Sequence, residues 1–189
     1  MEEELRDLAR LLLRAGLGTP AEARRELVEA IARDLPGEAA ASRADEWLAA
    51  ARADLLAEEK DWPEHTDHDD LLAAFAACET MGVRVLRGVP DHWSAKQEID
   101  RLAGRLGARP LRGIVWFTPP DVWHAIDHGM LEINLWHPTT ANAAPGDDLL
   151  ADVLSLLGRH GLSAHFDEGR IEIAAHWRRR VPDKPGHFG

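Results

Sequence analysis

The sequence predicts an α+β fold: a mixed, mostly antiparallel sheet of four or five strands with helices on one face, preceded by an N-terminal three-helix region. Three observations indicate this fold. A β-hairpin pattern occupies residues 161–177, an alternating strand occupies residues 131–136, and apolar residues recur at helical spacing through residues 1–58. We therefore expect a helical N-terminal region at 1–58, an α+β domain at 66–177 and a loosely ordered tail at 178–189.

Three apolar stripes predict the three N-terminal helices. The first stripe ends at a pair of glycines, and the second follows a capping box formed by Thr19 and Glu22. The third precedes an acidic link that is broken by a proline. Each apolar face is narrow, so these helices need one another or the rest of the chain to be stable. The stripe residues are Leu5, Leu8 and Leu12, then Leu27, Val28, Ile31 and Leu35, then Trp47, Leu48, Ala51 and Leu55.

From residue 66 onward, helical and strand patterns alternate. A helix capped by Thr66 or Asp67 comes first, and a short strand follows it. Ser94 and Gln97 then predict a capping box for a second helix, and the apolar run 113–118 predicts a strand buried on both faces. A short helix, an alternating strand, a longer helix and the hairpin complete the order. This order predicts a sheet covered by helices.

Two strand patterns predict which side chains face the solvent. Apolar residues at the odd positions of 131–136 alternate with polar residues and Trp136 at the even positions, which is the period of a half-buried strand. In the hairpin, the pair Glu168–Gly169 suits a type I′ turn. That register places His165 opposite Glu172 on the solvent face.

Composition and charge exclude several classes of protein. The chain has 189 residues and a net charge of −11, which argues against nucleic-acid binding through phosphate contacts. The single cysteine, Cys78, excludes an intrachain disulfide, and we expect it to be a small buried hydrophobe. The N-terminus is acidic where a secretory signal would be basic, and no apolar run reaches the length of a membrane span. We expect a cytoplasmic protein that contacts no membrane.

Three groups of residues form recognisable motifs: Thr66, Asp67, Asp69, Leu72, Ala74 and Phe75, then Val115, Trp116, Phe117 and Asp121, then Gly161, Leu162, Phe166, Asp167, Arg170, Ile171, Trp177 and Arg180. This helix start, buried strand and hairpin resemble those of an uncharacterised bacterial family, a domain of unknown function. The resemblance covers roughly residues 60–180 and leaves the helical extension outside. Typical members carry a cysteine-rich segment after the first strand, whereas residues 87–93 contain no cysteine. The thiol or metal chemistry of such a segment is therefore absent here.

Seven tryptophans and no tyrosine suggest a surface for a protein partner. We expect contact through those of Trp93, Trp123 and Trp136 that are left exposed, together with acidic residues that include Asp61 and Glu64. The sequence contains no nucleophile elbow and no glycine-rich phosphate loop, which favours a non-enzymatic binding or regulatory module with no cofactor. A homodimeric scaffold that uses the helical extension as its interface is a further alternative, since the sequence does not fix the oligomeric state.

Paired histidines support a different alternative, a small metal-binding protein or a metal-dependent hydrolase. His124 and His128 lie one helical turn apart, and His65 and His68 lie among aspartates. Imidazole and carboxylate ligands suit Zn²⁺ or Mn²⁺. The glutamate that a zinc-protease motif places after its first histidine is replaced by Ala125. The alternative therefore uses a His/Asp cluster in which Asp67, Asp69 and Asp70 supply oxygen ligands, although these aspartates also suit the capping of a helix.

Overall fold

The computed structural model describes residues 1–37, 39–103 and 111–181. Contacts divide the chain into two compact units, one formed by residues 1–64 and the segment after residue 177, and one formed by residues 65–177. The predicted α+β class, the N-terminal helices and the mixed sheet are confirmed. The elements are α1 (Glu2–Ala15), α2 (Pro20–Asp34), α3 (Ala40–Glu58), a 3₁₀ turn (Glu59–Asp61), α4 (Asp67–Met81), β1 (Val83–Leu86), α5 (His92–Ala103), β2 (Gly113–Trp116), α6 (Pro119–His128), β3 (Met130–Trp136), α7 (Asp148–Arg159), β4 (Ser163–Asp167) and β5 (Arg170–Ala174).

In the helical unit, α1, α2 and α3 pack against one another around an apolar core. The predicted capping box at Thr19 and Glu22 begins α2, with Pro20 in the first turn. Each helix contributes part of the core, which explains why three narrow stripes suffice. The buried members are Leu5, Ala9, Leu27, Ala30, Ile31, Ala44 and Trp47.

The segment after residue 177 completes the helical unit. The Arg179 guanidinium donates to the carbonyl oxygens of Leu13 (2.7 Å) and Arg14 (3.3 Å), which are otherwise free at the end of α1. The backbone N–H of Val181 donates to Glu59 at 2.6 Å. We expected a loosely ordered tail from residue 178, but residues 179–181 are held by these hydrogen bonds. Residues 182–189 of that predicted tail lie outside the described residues.

In the second unit, five strands form one sheet in the order β1-β2-β3-β5-β4. Strands β1 and β2 are parallel, and the three other pairings are antiparallel. The crossover between β1 and β2 contains α5, as a parallel connection requires. Strands β1 and β4 therefore form the two edges of the sheet.

Two helices cover opposite faces of the sheet at β2. Phe75 of α4 stacks on Phe117 at a centroid separation of 5.7 Å, so α4 lies on one face. Ala95 and Ile99 of α5 pack with Ile114 on the other face. All four residues of β2 are buried, as the apolar run predicts. Since α5 covers this face at β1, at β2 and at the Trp136 end of β3, the exposed part of the face lies along the rest of β3, β5 and β4.

No helix among the described residues is both long enough and apolar enough to span a bilayer.

Candidate functional site

Trp93 is the most exposed aromatic side chain among the described residues. Its relative exposure is 62%, and the only other exposed large hydrophobic residues there are Met1 and Leu56. An indole buries a large area when it is covered, so leaving one in water forgoes a substantial hydrophobic gain. An exposed tryptophan on a helix is therefore a candidate contact for another molecule.

Asp91 fixes the turn that carries Trp93. Its Oδ1 accepts the backbone N–H of Ser94 at 2.7 Å, and its carbonyl oxygen accepts the N–H of Ala95. The hydrogen bond from the Ser94 N–H lowers the pKa of Asp91. We expected Ser94 to be the cap, but Asp91 takes that role and α5 begins at His92. This earlier start places Trp93 in the first turn of α5, where the His92 ring lies 4.7 Å from its ring.

The loop before α5 is also fixed to the sheet. Val89 donates its backbone N–H to the carbonyl oxygen of Phe117 at 3.1 Å, and Gly88 has a φ of +62°. The Arg87 guanidinium carbon lies 5.4 Å from the centroid of the Phe75 ring, and burial lowers the pKa of Arg87. This loop therefore holds the start of α5 in one position.

The other two tryptophans named as contacts are less available. Trp123 on α6 is half-buried. Trp136 is 8% exposed and makes an edge contact with Trp116 at 4.9 Å. The Trp116 indole N–H has no hydrogen-bond partner among the described residues. The alternation in β3 predicts a half-buried strand, but α5 covers the even-numbered face near Trp136, so this side chain is part of the core.

The acidic residues named as contacts lie in the helical unit. Asp61, in the 3₁₀ turn, and Glu64 are both exposed. Trp62 between them is half-buried, with the Arg180 guanidinium carbon 5.9 Å from its ring centroid. Both carboxylates are therefore surface charges of this unit.

The first pair of histidines has local structural partners. The Nε2 of His65 lies 2.7 Å from Oδ1 of Asp70, and this contact raises the pKa of His65. His68 is 6% exposed, and its ring makes an edge contact with Trp177 at 4.8 Å. One ring is therefore at the surface and the other is in the core, although they are three residues apart.

The second pair lies on one face of α6, as its spacing predicts. The rings of His124 and His128 are 4.8 Å apart, with His124 half-buried and His128 exposed. Across the described residues, no group of three or more histidine, cysteine, aspartate or glutamate side chains is arranged to hold a metal ion. The geometry there provides at most a pair of imidazoles.

The residues that carry the family resemblance position the start of α4 and α6. Thr66 and Asp69 form a capping box at α4, with the Asp69 carboxylate 2.8 Å from the Thr66 backbone N. Thr118 and Asp121 form the equivalent box at α6, with a distance of 2.7 Å. Asp67 instead accepts the backbone N–H of His176 at 2.9 Å. These aspartates therefore fix the backbone, which explains the motif without any ligand.

The hairpin residues of the motif have similar roles. The Arg170 guanidinium pairs with Glu132 and lies 3.6 Å from Asp121. The backbone N–H of Trp177 donates to the carbonyl oxygen of Ala125 at 3.2 Å. Sequence reasoning missed the ring contact between Trp177 and His68, because the two residues come from motif blocks that are far apart in the sequence. The available signal was that His68 lies between the motif residues Asp67 and Asp69, while Trp177 belongs to the last block of the same motif.

The open face of β3, β5 and β4 is polar. His165 lies opposite Glu172 in the register, as predicted, with 3.4 Å between Nε2 and Oε2. Glu172 also lies opposite Glu132 of β3. Helices cover the other face of these strands, where Ile171 and Ile173 are buried. The hairpin register can therefore be used to place every side chain of β4.

The fold and its capping boxes define an α+β protein with an N-terminal helical region. A family model with the description "Domain of unknown function (DUF6891)" matches residues 1–181. The chain belongs to this family, which confirms the resemblance. The helical region at 1–58 lies within the match, although the resemblance in the sequence leaves it outside. No match to a curated protein was found.

Proposed function

We propose that this chain is a non-enzymatic protein-binding module of the bacterial cytoplasm, and that Trp93 contacts its partner. The observation that carries the proposal is the 62% exposure of Trp93 on a helix start that Asp91 and the Val89 hydrogen bond hold in place. A backbone segment that is already held in place loses little conformational entropy on binding. Tryptophan is also among the residues that dominate binding energy in protein interfaces.

The expected partner offers an apolar pocket with basic side chains around it. The pocket would cover the Trp93 indole and the adjacent His92 ring, which lie 4.7 Å apart. The basic rim follows from the net charge of −11, which attracts cationic surfaces and accelerates encounter with them. The exposed carboxylates Asp61 and Glu64 contribute to this charge. No direct contact with the partner is assigned to Trp136, because that side chain is buried.

A three-variant comparison tests the proposal. Wild type, Trp93→Ala and Lys96→Ala are used as baits, and the protein whose recovery depends on Trp93 is purified and titrated calorimetrically against each. Lys96 is a matched control on the same helix, since it forms an exposed pair with Asp100 at 3.0 Å.

Trp93→Ala is expected to weaken the affinity at least about 10-fold, because it removes a hot-spot side chain. Lys96→Ala is expected to change the affinity by less than about 3-fold, as rim charges do. Recovery of the same proteins by all three baits, or equal affinity of wild type and Trp93→Ala, contradicts the proposal.

The second candidate is a metal-binding protein, with a metal-dependent hydrolase as its enzymatic form. The observation that favours it is the His124–His128 pair, whose rings are 4.8 Å apart on one face of α6. Imidazoles at this spacing suit Zn²⁺, and with added carboxylates Mn²⁺. His65 and His68 do not add to this pair, since one contacts Asp70 and the other contacts Trp177.

Metal content decides between the two candidates. Tag-free protein purified without chelator is examined by elemental mass spectrometry, with His124→Ala as the comparison. One equivalent of zinc or manganese that disappears in His124→Ala, with the circular dichroism spectrum unchanged, supports the metal-binding candidate. If the protein takes up no zinc from a saturating solution, the metal-binding candidate is excluded.

A further inference from the structure

The two edge strands of the sheet differ in how their outer edges are protected. On β1, the backbone N–H of Val85 donates to the Glu79 carboxylate at 2.8 Å, and Arg84 pairs with the same carboxylate. Val85 therefore has no free donor on that side. An occupied donor cannot pair with another strand, and charged side chains such as those of Glu79 and Arg84 are among the devices that protect natural sheet edges.

Strand β4 has no such protection. It pairs only with β5, in a hairpin whose turn residues Glu168 and Gly169 have φ values of +43° and +92°. In a two-residue hairpin the residues that flank the turn, here Asp167 and Arg170, form a hydrogen-bonded pair, and such pairs alternate with non-hydrogen-bonded ones. Residues in the latter pairs direct their backbone groups away from the partner strand.

The alternation identifies which groups of β4 point outward. Ala164 and Phe166 lie opposite Ile173 and Ile171, the non-hydrogen-bonded positions of the hairpin. Their N–H and C=O groups therefore face the free edge. No partner for these groups lies among residues 1–37, 39–103 and 111–181. Strand β4 also contains no proline and no lysine, two residues that commonly block an edge.

We infer that the β4 edge is a self-association surface, and that its occupant is β4 of a second copy of this chain, paired antiparallel across a two-fold axis at His165. In this register Ala164 lies opposite Phe166 of the second copy. Both pairs formed in this way are hydrogen-bonded, so all the outward groups of the two residues are satisfied. A two-fold axis gives both chains the same contacts, which is the usual form of a homodimer interface.

The side chains of β4 are complementary in the same register. On the helix-covered face, the large Phe166 meets the small Ala164, and both are half-buried in one copy. On the open face, Ser163 meets the carboxylate of Asp167, so a hydroxyl donor faces an acceptor. His165 meets its own copy on the axis, between the two Glu172 carboxylates, which lie 3.4 Å from each ring in the monomer. No carboxylate of β4 faces another carboxylate of β4.

The pairing is expected to be weak and dependent on concentration. The strand is five residues long, and an edge contact buries less area than a standard interface. Sedimentation velocity between about 10 μM and about 1 mM should show a species approaching twice the mass of the chain, in the affinity range of a small interface. Ala164→Pro removes an outward N–H without removing a bond to β5, and it should abolish that species.

Disulfide cross-linking tests the register. In His165→Cys, the two introduced cysteines lie opposite each other in a non-hydrogen-bonded pair, at a Cα separation of about 4.5 Å, within the disulfide range of about 4.4–6.8 Å. In Ser163→Cys, the matched control on the same exposed face, the cysteines are offset by four residues and lie about 14 Å apart. The native Cys78 is buried and does not compete.

Rapid oxidation of His165→Cys to a covalent dimer, with slow oxidation of Ser163→Cys, supports the inference. Equal rates for the two variants indicate random collision and overturn it. A chain that stays monomeric at about 1 mM also overturns it, since that concentration exceeds the range in which small interfaces assemble. Protection of the β4 amides by an extended peptide alone would assign the edge to a different partner.

Discussion

The Asp67 carboxylate accepts a hydrogen bond from the backbone N–H of His176, 109 residues later in the chain, at 2.9 Å. Asp67 is the first residue of α4, and His176 follows β5. One carboxylate therefore serves the positive end of a helix dipole and fixes the segment that leaves the hairpin. That segment continues directly to Trp177, whose ring lies against His68 of the same helix.

Replacing Asp67 with alanine should destabilise the protein by about 1–2 kcal/mol, because a charge-assisted hydrogen bond and a dipole contact are lost. Asp148→Ala is the matched control, since Asp148 is the first residue of α7 and is exposed. It should cost about 0.3–1 kcal/mol, the dipole contribution alone. Urea denaturation measures both, and equal costs would show that the bond to His176 contributes nothing.

Cys78 should be unreactive in the folded protein. The thiol is buried, and burial raises its pKa to about 11. Since the thiolate is the reactive form, only about 0.1% of the thiol is ionised at pH 8, and the reagent must also reach a buried atom. Ellman's reagent should label native protein far more slowly than protein in guanidinium chloride. Prompt labelling of one thiol per native chain would contradict the predicted burial.

The pKa of His65 should lie above its ordinary value of 6.5, because the Asp70 carboxylate accepts a hydrogen bond from the ring. A raised pKa in the folded state means that the contact stabilises the protein fully below pH 6.5, and that this contribution is lost as the pH rises through the folded pKa. An NMR titration of the ring protons measures this pKa.

Asp70→Asn provides the comparison for the titration. It removes the charge and should lower the pKa of His65 towards 6.5. A pKa of His65 that does not respond to Asp70→Asn would assign the shift to another cause.

Thr140 should be more stable as glycine. Its φ is +66°, a conformation that costs an L-residue with a branched Cβ about 1–2 kcal/mol, whereas glycine adopts it freely. Glycine also makes the unfolded chain more flexible, which offsets part of this gain. The net effect of Thr140→Gly should be a stabilisation of about 0.5–1 kcal/mol. Thr139→Gly is the matched control and should destabilise it by about the same amount. Thermal denaturation distinguishes the two signs.

Local patterns predicted the hairpin in detail. Alternation with period two placed His165 opposite Glu172, and a glycine at the second turn position predicted the observed turn. These features depend only on residues that are neighbours in sequence or across one turn. The cap at Thr66, one of the two residues predicted to begin α4, is local for the same reason.

Features that depend on distant residues were predicted less well. The burial of Trp136 requires α5 to cover the second face of the sheet, which the alternation of β3 does not encode. Ser94 was predicted to cap α5, but the Asp91 carboxylate accepts the backbone N–H of Ser94 and takes that role. Both residues suit a cap, and the local sequence does not distinguish two such residues three positions apart. The hydrogen bonds of Arg179 to the end of α1 join residues more than 160 positions apart, a separation that no pattern in the sequence reveals.

Those hydrogen bonds also affect the order in which the protein becomes complete during synthesis. The helices α1, α2 and α3 leave the ribosome first, but the carbonyl oxygens of Leu13 and Arg14 receive their hydrogen bonds only after Arg179 has been synthesised. All of residues 65–177 are translated in between. The helical unit is therefore translated first but acquires its last hydrogen bonds only at the end of synthesis. In a nascent chain stalled before residue 179, the end of α1 lacks its cap.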